Sequence, residues 1–196
     1  MKLLGLDFDN TLVQYDNLFH RLALEKGLIS RTVAPDKLEI REYLRAIGRD
    51  EEFTLLQGEV YGRQIHSAEA SEGMFKALME LKNQGVKMAL VSHKTKRPYK
   101  GPNYDLHQSA WSWLDTNGLT NKRGLDWNEK NIFFEETKEA KIKRIIELGC
   151  THYIDDLPEI LELLPENIDR IYYCPKGNKE TRFKTMTHWN ELRKWI

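Results

Sequence analysis

The sequence lacks several features that would assign it to particular classes of protein. Its 30 acidic and 30 basic residues balance, so bulk charge gives no indication of a nucleic acid or another polyanion as partner. No segment approaches the roughly 20 apolar residues that a membrane helix needs, and the N-terminus has no basic region followed by a long apolar run. These absences predict a cytoplasmic, soluble protein that binds neither membrane nor nucleic acid.

Cysteine is scarce as well. The two cysteines, Cys150 and Cys174, do not form a close-spaced metal motif. Each lies beside apolar or aromatic residues, so we expect buried free thiols rather than a disulfide, which is rare in a reducing compartment. The 196 residues are enough for one core domain with a modest insertion.

The stretch Lys2–Val13, KLLGLDFDNTLV, is the one around which the chain is organised. Its apolar run Leu3–Leu6 predicts a buried strand, and Asp7 and Asp9 follow at the carboxyl end of that strand. Ligands bind at that edge in open α/β sheets. Two neighbouring carboxylates repel unless a cation or a shared proton lies between them. The alternative interpretation is a plain turn, because Asp, Asn and Thr often follow strands.

The remainder of the chain alternates apolar strands with amphipathic helices from residue 71 onward, which predicts a parallel, Rossmann-like α/β sheet. The predicted strands are Val86–Val91, Ile132–Phe134, His152–Ile154 and Arg170–Cys174. The predicted helices of this part are Ser71–Asn83, Asp105–Asn117, Lys138–Leu148, Leu157–Leu164 and Thr187–Trp195. The inward stripe of the first of these helices is expected to hold Met74, Phe75, Leu78 and Leu81, and that of the third Ile142, Ile145, Ile146 and Leu148.

Residues 14–70 contain no convincing strand. Apolar residues recur at helical spacing in Leu18–Leu28. Asp36 is a plausible N-cap for a helix over Lys37–Ile47, and a further helical stretch is predicted over Arg49–His66. We therefore expect a small helical insertion over 14–70, with a Rossmann-like core made of 1–13 and 71–196. The plainer alternative is that these helices simply pack on the sheet.

Three predicted strands end in polar groups that could meet at one edge of a parallel sheet. These groups are Asp7 with Asp9, Ser92, and Asp155 with Asp156. Four converging carboxylates need a cation, and oxygen ligands with water in the remaining positions suit Mg²⁺. A carboxylate nucleophile is also a known route to an aspartyl-phosphate.

DFDNTLV resembles the first motif of the haloacid dehalogenase-like (HAD) hydrolases, D-x-D-x-[TV] after the first strand, and later segments match the other motifs in order. The resemblance covers most of the chain. It implies a magnesium-dependent phosphatase, with the helical insertion acting as a small cap that covers the active site and shapes substrate choice. A cap of this kind would favour small substrates.

Carried over residue by residue, the resemblance implies a role for each matching position. Asp7 would attack phosphorus and bind Mg²⁺, while Asp9 would protonate the leaving oxygen, activate water and offer its backbone carbonyl to the metal. Ser92 would donate its hydroxyl to the phosphate. Asp156 would complete the metal shell, with Asp155 as a direct or water-bridged helper. The remaining candidates for contact with substrate or phosphate are Asn10, Thr11, His93 and Lys94.

The family also places a lysine at the start of the helix before the last acidic pair. Lys138 and Lys141 both qualify, and we prefer Lys141 because T-x-x-x-K-I puts it in the first turn facing the sheet edge. On the plainer interpretation either lysine is a solvated charge. His93 and Lys94 could reach the leaving group or the phosphate. The role of the basic loop Lys96–Tyr104 stays open between substrate recognition and a solvated turn.

Polar and aromatic residues of the insertion are weaker candidates. Tyr15, Tyr61, Arg63 and His66 could face a ligand, although packing or a surface position is the more common state of such residues. The expected partner is a small phosphorylated metabolite, a sugar phosphate or a nucleotide-like compound. Phosphoryl transfer to an acceptor other than water, and a non-catalytic binding protein on the same fold, remain alternatives.

Overall fold

The structure is a computed structural model that describes residues 2–177 and 182–196. The strands of the described part are β1 (Leu3–Leu6), β2 (Val13–Gln14), β3 (Glu69–Ala70), β4 (Lys87–His93), β5 (Ile132–Glu135), β6 (His152–Asp155), β7 (Asp169–Tyr173) and β8 (Lys184–Met186). The α-helices are α1 (Asp16–Glu25), α2 (Lys37–Ala46), α3 (Asp50–Tyr61), α4 (Met74–Asn83), α5 (Leu106–Thr116), α6 (Lys138–Glu147) and α7 (Pro158–Leu163). None of these helices combines the length and the apolar character that a membrane span requires.

The chain divides into two compact units. Unit 1 comprises Met1–Val13, Ala70–Lys94 and Asn117–Ile196, and unit 2 comprises Gln14–Glu69 and Thr95–Thr116. The short strands β2 and β3 form a separate two-stranded sheet at the points where the chain leaves and re-enters unit 1. No strand was expected there, because two-residue strands carry too little alternating pattern to be detected.

Unit 1 contains a parallel sheet of six strands in the order β5-β4-β1-β6-β7-β8. β1 is central and lies between β4 and β6, with Leu6 opposite Leu90 on one side and Ile154 on the other. All strands point the same way, so their carboxyl ends lie at one edge. The predicted parallel Rossmann-like sheet is confirmed, and β8 is an additional edge strand that the sequence pattern did not reveal.

Helices of unit 1 pack along the sheet through their apolar faces. α6 contacts β4 and β5, and α7 contacts β6 and β7. The start of α6 is fixed by Thr137, whose hydroxyl accepts from the Ala140 amide at 3.1 Å. Val91, Ile145 and Tyr153 are fully buried members of the core beneath these helices.

Two parts of the helix prediction were wrong in detail. Phe75 and Ile146, expected on inward stripes, are 40% and 49% exposed, because each lies at the edge of the stripe its helix buries. The predicted terminal helix over Thr187–Trp195 is a shorter 3-10 helix, Trp189–Lys194. Both cysteines are free, as expected, although only Cys150 is fully buried.

Unit 2 is built from α1, α2, α3 and α5 with an aromatic core. Phe19 stacks on Phe53 with ring centroids 5.6 Å apart, and Tyr15 meets Tyr61 edge-on at 4.9 Å. The α2 N-terminus is capped by Asp36, as its sequence position suggests.

The second segment of unit 2, Thr95–Thr116, differs from the expected division, in which the core ran without interruption from 71 to 196. The Trp113 indole donates to the Ala68 carbonyl at 3.0 Å, and Gly58 of α3 allows Pro98 to approach closely. These contacts join residues distant in sequence, so no local pattern could indicate them.

Candidate active site

A tight turn after β1 places Asp7 and Asp9 at the carboxyl edge of the sheet. The Asp7 amide still donates to the Ile154 carbonyl at 2.9 Å, so Asp7 continues the sheet pairing. Immediately beyond it the Phe8 carbonyl accepts from three amides, those of residues 11–13. Asn10 has φ of 56°, a left-handed conformation that is uncommon outside glycine and is often found at functional sites.

Asp7, Lys141 and Asp155 form a buried cluster of charges. Lys141 Nζ donates to Asp7 Oδ1 at 2.6 Å and to Asp155 Oδ2 at 2.7 Å, and each side chain is at most 6% exposed. Burial raises the pKa of Asp7 to about 7, an effect that Lys141 opposes and that Asp155 and Asp9 increase. Burial alone would lower the pKa of Lys141, but Asp155 and Asp7 outweigh it and raise that pKa well above the ordinary value. The cluster therefore holds one fixed cation against more than one carboxylate.

The two carboxylates of this cluster, together with that of Asp156, could hold a metal ion. One oxygen from each of Asp7, Asp155 and Asp156 lies within 4.8 Å of the other two. Mg²⁺ prefers such oxygen donors and keeps water in its remaining positions, which the half-buried position of Asp156 permits. Burial is the main cause of the raised pKa of Asp7, and a divalent cation would relieve the repulsion from Asp155 and Asp9 that adds to it. The residues present thus fit Mg²⁺, with both members of the Asp155–Asp156 pair in the group.

The second acid of the motif has a different partner. Both carboxylate oxygens of Asp9 accept from Lys94 Nζ at 2.9 Å. Lys94 is 4% exposed although it is a lysine, and Asp9 is half-buried. The pairing of these two side chains was not foreseen, because nothing local connects residues 85 positions apart. The Asp9 side chain is not in the carboxylate group around Asp7, so that group contains three of the four acids expected to converge at this edge. A metal contact through the Asp9 backbone carbonyl stays a prediction.

Buried hydroxyls complete the edge. Ser92, 1% exposed, lies at the end of β4, and Thr11, fully buried, lies in the turn after β1. The side-chain oxygens of both lack a hydrogen-bond partner in the described part of the chain. Unpaired buried hydroxyls cost free energy unless a ligand or water satisfies them, so they suit an anion with several oxygens.

The two candidate lysines of α6 are in different environments. Lys141 is the one beside Asp7, one turn after the Thr137 cap, and it is 2% exposed. The Lys138 side chain is 42% exposed and pairs with Glu159 at 2.8 Å. This geometry favours Lys141 for the proposed contact with phosphate.

The remaining candidates have more ordinary contacts. His93 is half-buried with Nε2 3.2 Å from the Glu136 carbonyl oxygen, and burial lowers its pKa. In the basic loop Lys96–Tyr104, Arg97 donates to the Asn103 carbonyl at 3.1 Å and Lys100 pairs with Glu51 at 2.6 Å. These two basic side chains therefore contact other residues of unit 2. Tyr15 and Tyr61 pack on each other, while His66 is exposed.

Tyr153 is a residue of this site that sequence reasoning missed. Its hydroxyl donates to the Val91 carbonyl at 2.5 Å, and its ring centroid lies 5.6 Å from Lys141 Nζ. A fully buried ring beneath an ammonium restricts where that ammonium can lie. The sequence signal that could have identified Tyr153 was its position in β6, two residues before Asp155.

Comparisons with known proteins point to one fold. No protein-family model matches the chain, and no curated protein matches it by sequence. Solved structures do match. A phosphoserine phosphohydrolase-like protein from Francisella tularensis has 18% identity, covers all of both chains and gives a TM-score of 0.57. A HAD hydrolase from Bacillus subtilis, solved with magnesium bound, has 16% identity over 98% of this chain and 97% of its own, with a TM-score of 0.60.

A third similar structure is a dehalogenase, with 13% identity over all of this chain and 97% of its own, and a TM-score of 0.60. At these identities the comparisons establish the fold, whereas the chemistry has to be argued from this chain's own residues. The chain therefore shares the fold of HAD-superfamily hydrolases, the family that its first motif resembles.

Proposed function

We propose that this protein is a Mg²⁺-dependent phosphatase that hydrolyses a small phosphomonoester, a sugar phosphate or a nucleotide-like compound, through an aspartyl-phosphate. The observation that carries this proposal is the position of Asp7. Its carboxylate is held by Lys141 at 2.6 Å in a group of acids suited to a divalent cation. The unpaired hydroxyls of Thr11 and Ser92 supply donors for phosphate oxygens.

In the first step an Asp7 carboxylate oxygen attacks phosphorus. The bond to the ester oxygen breaks, the electron pair leaves with that oxygen, and Asp9 gives it a proton. Lys141 and the hydroxyls of Thr11 and Ser92 stabilise the charge on the phosphoryl oxygens. Mg²⁺ bound by Asp7, Asp155, Asp156 and the Asp9 carbonyl would supply further positive charge to the same oxygens.

In the second step the aspartyl-phosphate is hydrolysed. Asp9, now ionised, takes a proton from a water molecule, whose oxygen attacks phosphorus. The bond between Asp7 and phosphorus breaks, which releases inorganic phosphate and restores the Asp7 carboxylate. The same residue therefore serves as acid and then as base.

The presence of Asp9 favours phosphate chemistry over dehalogenation. The resemblance implies a carboxylate at this position in phosphatases, whereas dehalogenating members lack one. A halide leaving group needs no proton, so a paired acid beside the nucleophile would have no use there. The small phosphorylated partner and the cytoplasmic location remain predictions.

The test is release of phosphate from an aryl phosphate with Mg²⁺. We expect wild-type activity that chelation removes, and a loss of at least about 10³-fold in Asp7→Asn, since the amide cannot attack phosphorus. Asp126→Asn is the matched control. Asp126 is an exposed aspartate with φ of 59°, a conformation that asparagine also tolerates, so activity should persist. Full activity of Asp7→Asn would end the proposal.

The same assay separates the alternatives. A phosphotransferase would release the aryl alcohol without a matching amount of phosphate when a sugar or alcohol acceptor is present. A binding protein would release neither, yet its melting temperature would rise with phosphate and Mg²⁺.

A further inference from the structure

Lys94 is a second buried cation at the sheet edge, and it pairs with Asp9, the second acid of the motif. Its Nζ lies 2.9 Å from both Asp9 oxygens and 5.4 Å from the Phe8 ring centroid. Its backbone amide donates to the Glu135 carbonyl at 2.8 Å, so the residue is fixed to the end of the sheet. Lysine is almost never this buried unless it is paired or has a function.

The position of Lys94 relative to the reaction follows from the role of Asp9. A proton donor must come within about 2.6–3.2 Å of the oxygen it protonates. Lys94 Nζ is 2.9 Å from either Asp9 oxygen, so the ester oxygen comes within roughly 6 Å of that ammonium. Lys94 therefore lies on the side of the leaving alcohol, whereas Lys141 is beside the attacking Asp7.

A buried ammonium on that side discriminates between alcohols by their charge. In a poorly hydrated site an anionic group gains much more from a nearby ammonium than it does in water, and a cationic group is repelled. Asp9 must also exchange contact with Lys94 for contact with the ester oxygen. An anionic group on the substrate could then take over the Lys94 contact, so the ammonium would not be left without a counter-charge.

We propose that Lys94 makes the enzyme selective for phosphomonoesters whose alcohol part carries a second anionic group within about two carbon atoms of the ester oxygen. This inference rests on the proposed phosphatase activity, with Asp9 as the proton donor. It narrows the substrate class to phosphorylated acids or bisphosphates.

Three phosphate esters whose alcohol parts each contain two carbon atoms test the proposal: carboxymethyl phosphate, ethyl phosphate and 2-aminoethyl phosphate. Phosphate release gives kcat/KM for each in wild type, Lys94→Gln and Lys94→Arg. We expect wild type to prefer carboxymethyl over ethyl phosphate by at least 10-fold and to disfavour the 2-aminoethyl ester. In Lys94→Gln the preference should fall below 3-fold, chiefly through a raised KM for the carboxymethyl ester, and Lys94→Arg should restore part of it.

Ratios within one variant cancel any general effect of the substitution on Asp9 or on folding. A wild-type preference below 3-fold, or a preference that Lys94→Gln leaves intact, would overturn the proposal and reduce Lys94 to a residue that positions Asp9. Should Lys94→Gln fail to fold, inhibition of the wild type by the alcohol products decides the question. Hydroxyacetate should then compete at concentrations at least 10-fold lower than ethanol, and equal inhibition would refute selectivity.

Failure of the underlying function has a different signature. In that case wild type would release no phosphate from any of the three esters or from an aryl phosphate, and Asp7→Asn would match it. Selectivity fails alone when all three esters are hydrolysed at similar rates and Asp7→Asn is inactive.

Discussion

The two units of this protein place their charged side chains differently. Unit 1 buries four of them at one sheet edge: Asp7, Lys94, Lys141 and Asp155 are each at most 4% exposed. Unit 2, all of whose residues are described, buries no charged side chain and has a core of aromatic and aliphatic residues. Its ion pair between Lys100 and Glu51 is typical, with side chains 50% and 67% exposed.

This difference indicates where the function lies. Taking a charge out of water costs several kcal/mol, which a partner only partly offsets. A unit that needed only stability would keep its charges at the surface, as unit 2 does. Unit 1 buries its charges at a single edge, where fixed charges of both signs would serve the proposed transfer of a phosphoryl group.

The largest expected effect comes from removing the central cation of that edge. Lys141→Met leaves Asp7 and Asp155 buried without their ammonium, so we expect about 3–5 kcal/mol less stability and at least 100-fold less phosphate release. Urea unfolding and the aryl phosphate assay measure the two effects.

Lys138→Met on the same helix is the matched control. Its exposed pair with Glu159 should contribute less than about 1 kcal/mol, and activity should stay near that of wild type. An inactive Lys138→Met with an active Lys141→Met would reverse the assignment and remove the contrast between buried and exposed charges.

In unit 2 the corresponding substitution removes a buried apolar side chain rather than a buried charge. Phe53 is 2% exposed and stacks on Phe19, so Phe53→Ala should cost about 3–5 kcal/mol, and the loss should not depend on salt. Urea unfolding at low and high salt tests this, with amide exchange in α1 and α3 as a local readout. Leu55→Ala, at a position 41% exposed, should cost less than about 1 kcal/mol. A strongly salt-dependent loss in Phe53→Ala would show that charge stabilises unit 2 after all.

Much of unit 1 could be predicted because its local signals agree with one another. The apolar run before Asp7 and the run before Ser92 read as strands, and a parallel sheet requires their ends to share an edge. Thr137 marked the start of α6, which put Lys141 one turn into the helix. The preference for Lys141 over Lys138 depended on where α6 begins. Sequence patterns place the start of a helix only within a few residues.

The remainder depended on contacts between distant residues. The pairing of Lys94 with Asp9, the ring of Tyr153 beneath Lys141 and the grouping of residues 95–116 with unit 2 all join segments far apart in the chain. Such contacts have no periodicity and no motif. Contacts of this kind can be predicted only once the order of the strands in the sheet is known.

A smaller effect tests how tightly the sheet is packed beneath the site. A Cβ at Gly5 would lie 2.5 Å from the Tyr153 ring and 3.0 Å from the Cys150 sulfur, so Gly5→Ala should cost about 1–3 kcal/mol. Gly58→Ala in α3 of unit 2 is the control. There the nearest atom is 3.0 Å away on Pro98, and the gain in helix propensity of up to about 1 kcal/mol opposes the crowding. Thermal unfolding of the two variants should therefore separate them, and equal losses would show that the two units are packed alike.

The smallest effect concerns a carboxylate of unit 1 that stabilises rather than reacts. Glu191 accepts from the Thr187 hydroxyl at 2.8 Å and from the His188 amide at 3.1 Å, and these bonds lower its pKa from 4.5 to about 2. A carboxyl whose pKa is lower in the folded state stabilises the fold above its unfolded pKa, and this contribution is lost as the pH falls toward the folded value. Glu191→Gln should therefore lower the free energy of unfolding by about 1 kcal/mol at pH 7, and the difference from wild type should shrink below about pH 4.5.

Thermal unfolding from pH 7 to pH 3.5 measures this difference. The control is Glu166→Gln at an exposed position, whose stability should stay within about 0.5 kcal/mol of wild type throughout. A Glu191→Gln deficit that is the same at every pH would mean that its neutral hydrogen bonds, and not its charge, hold the end of the chain in place.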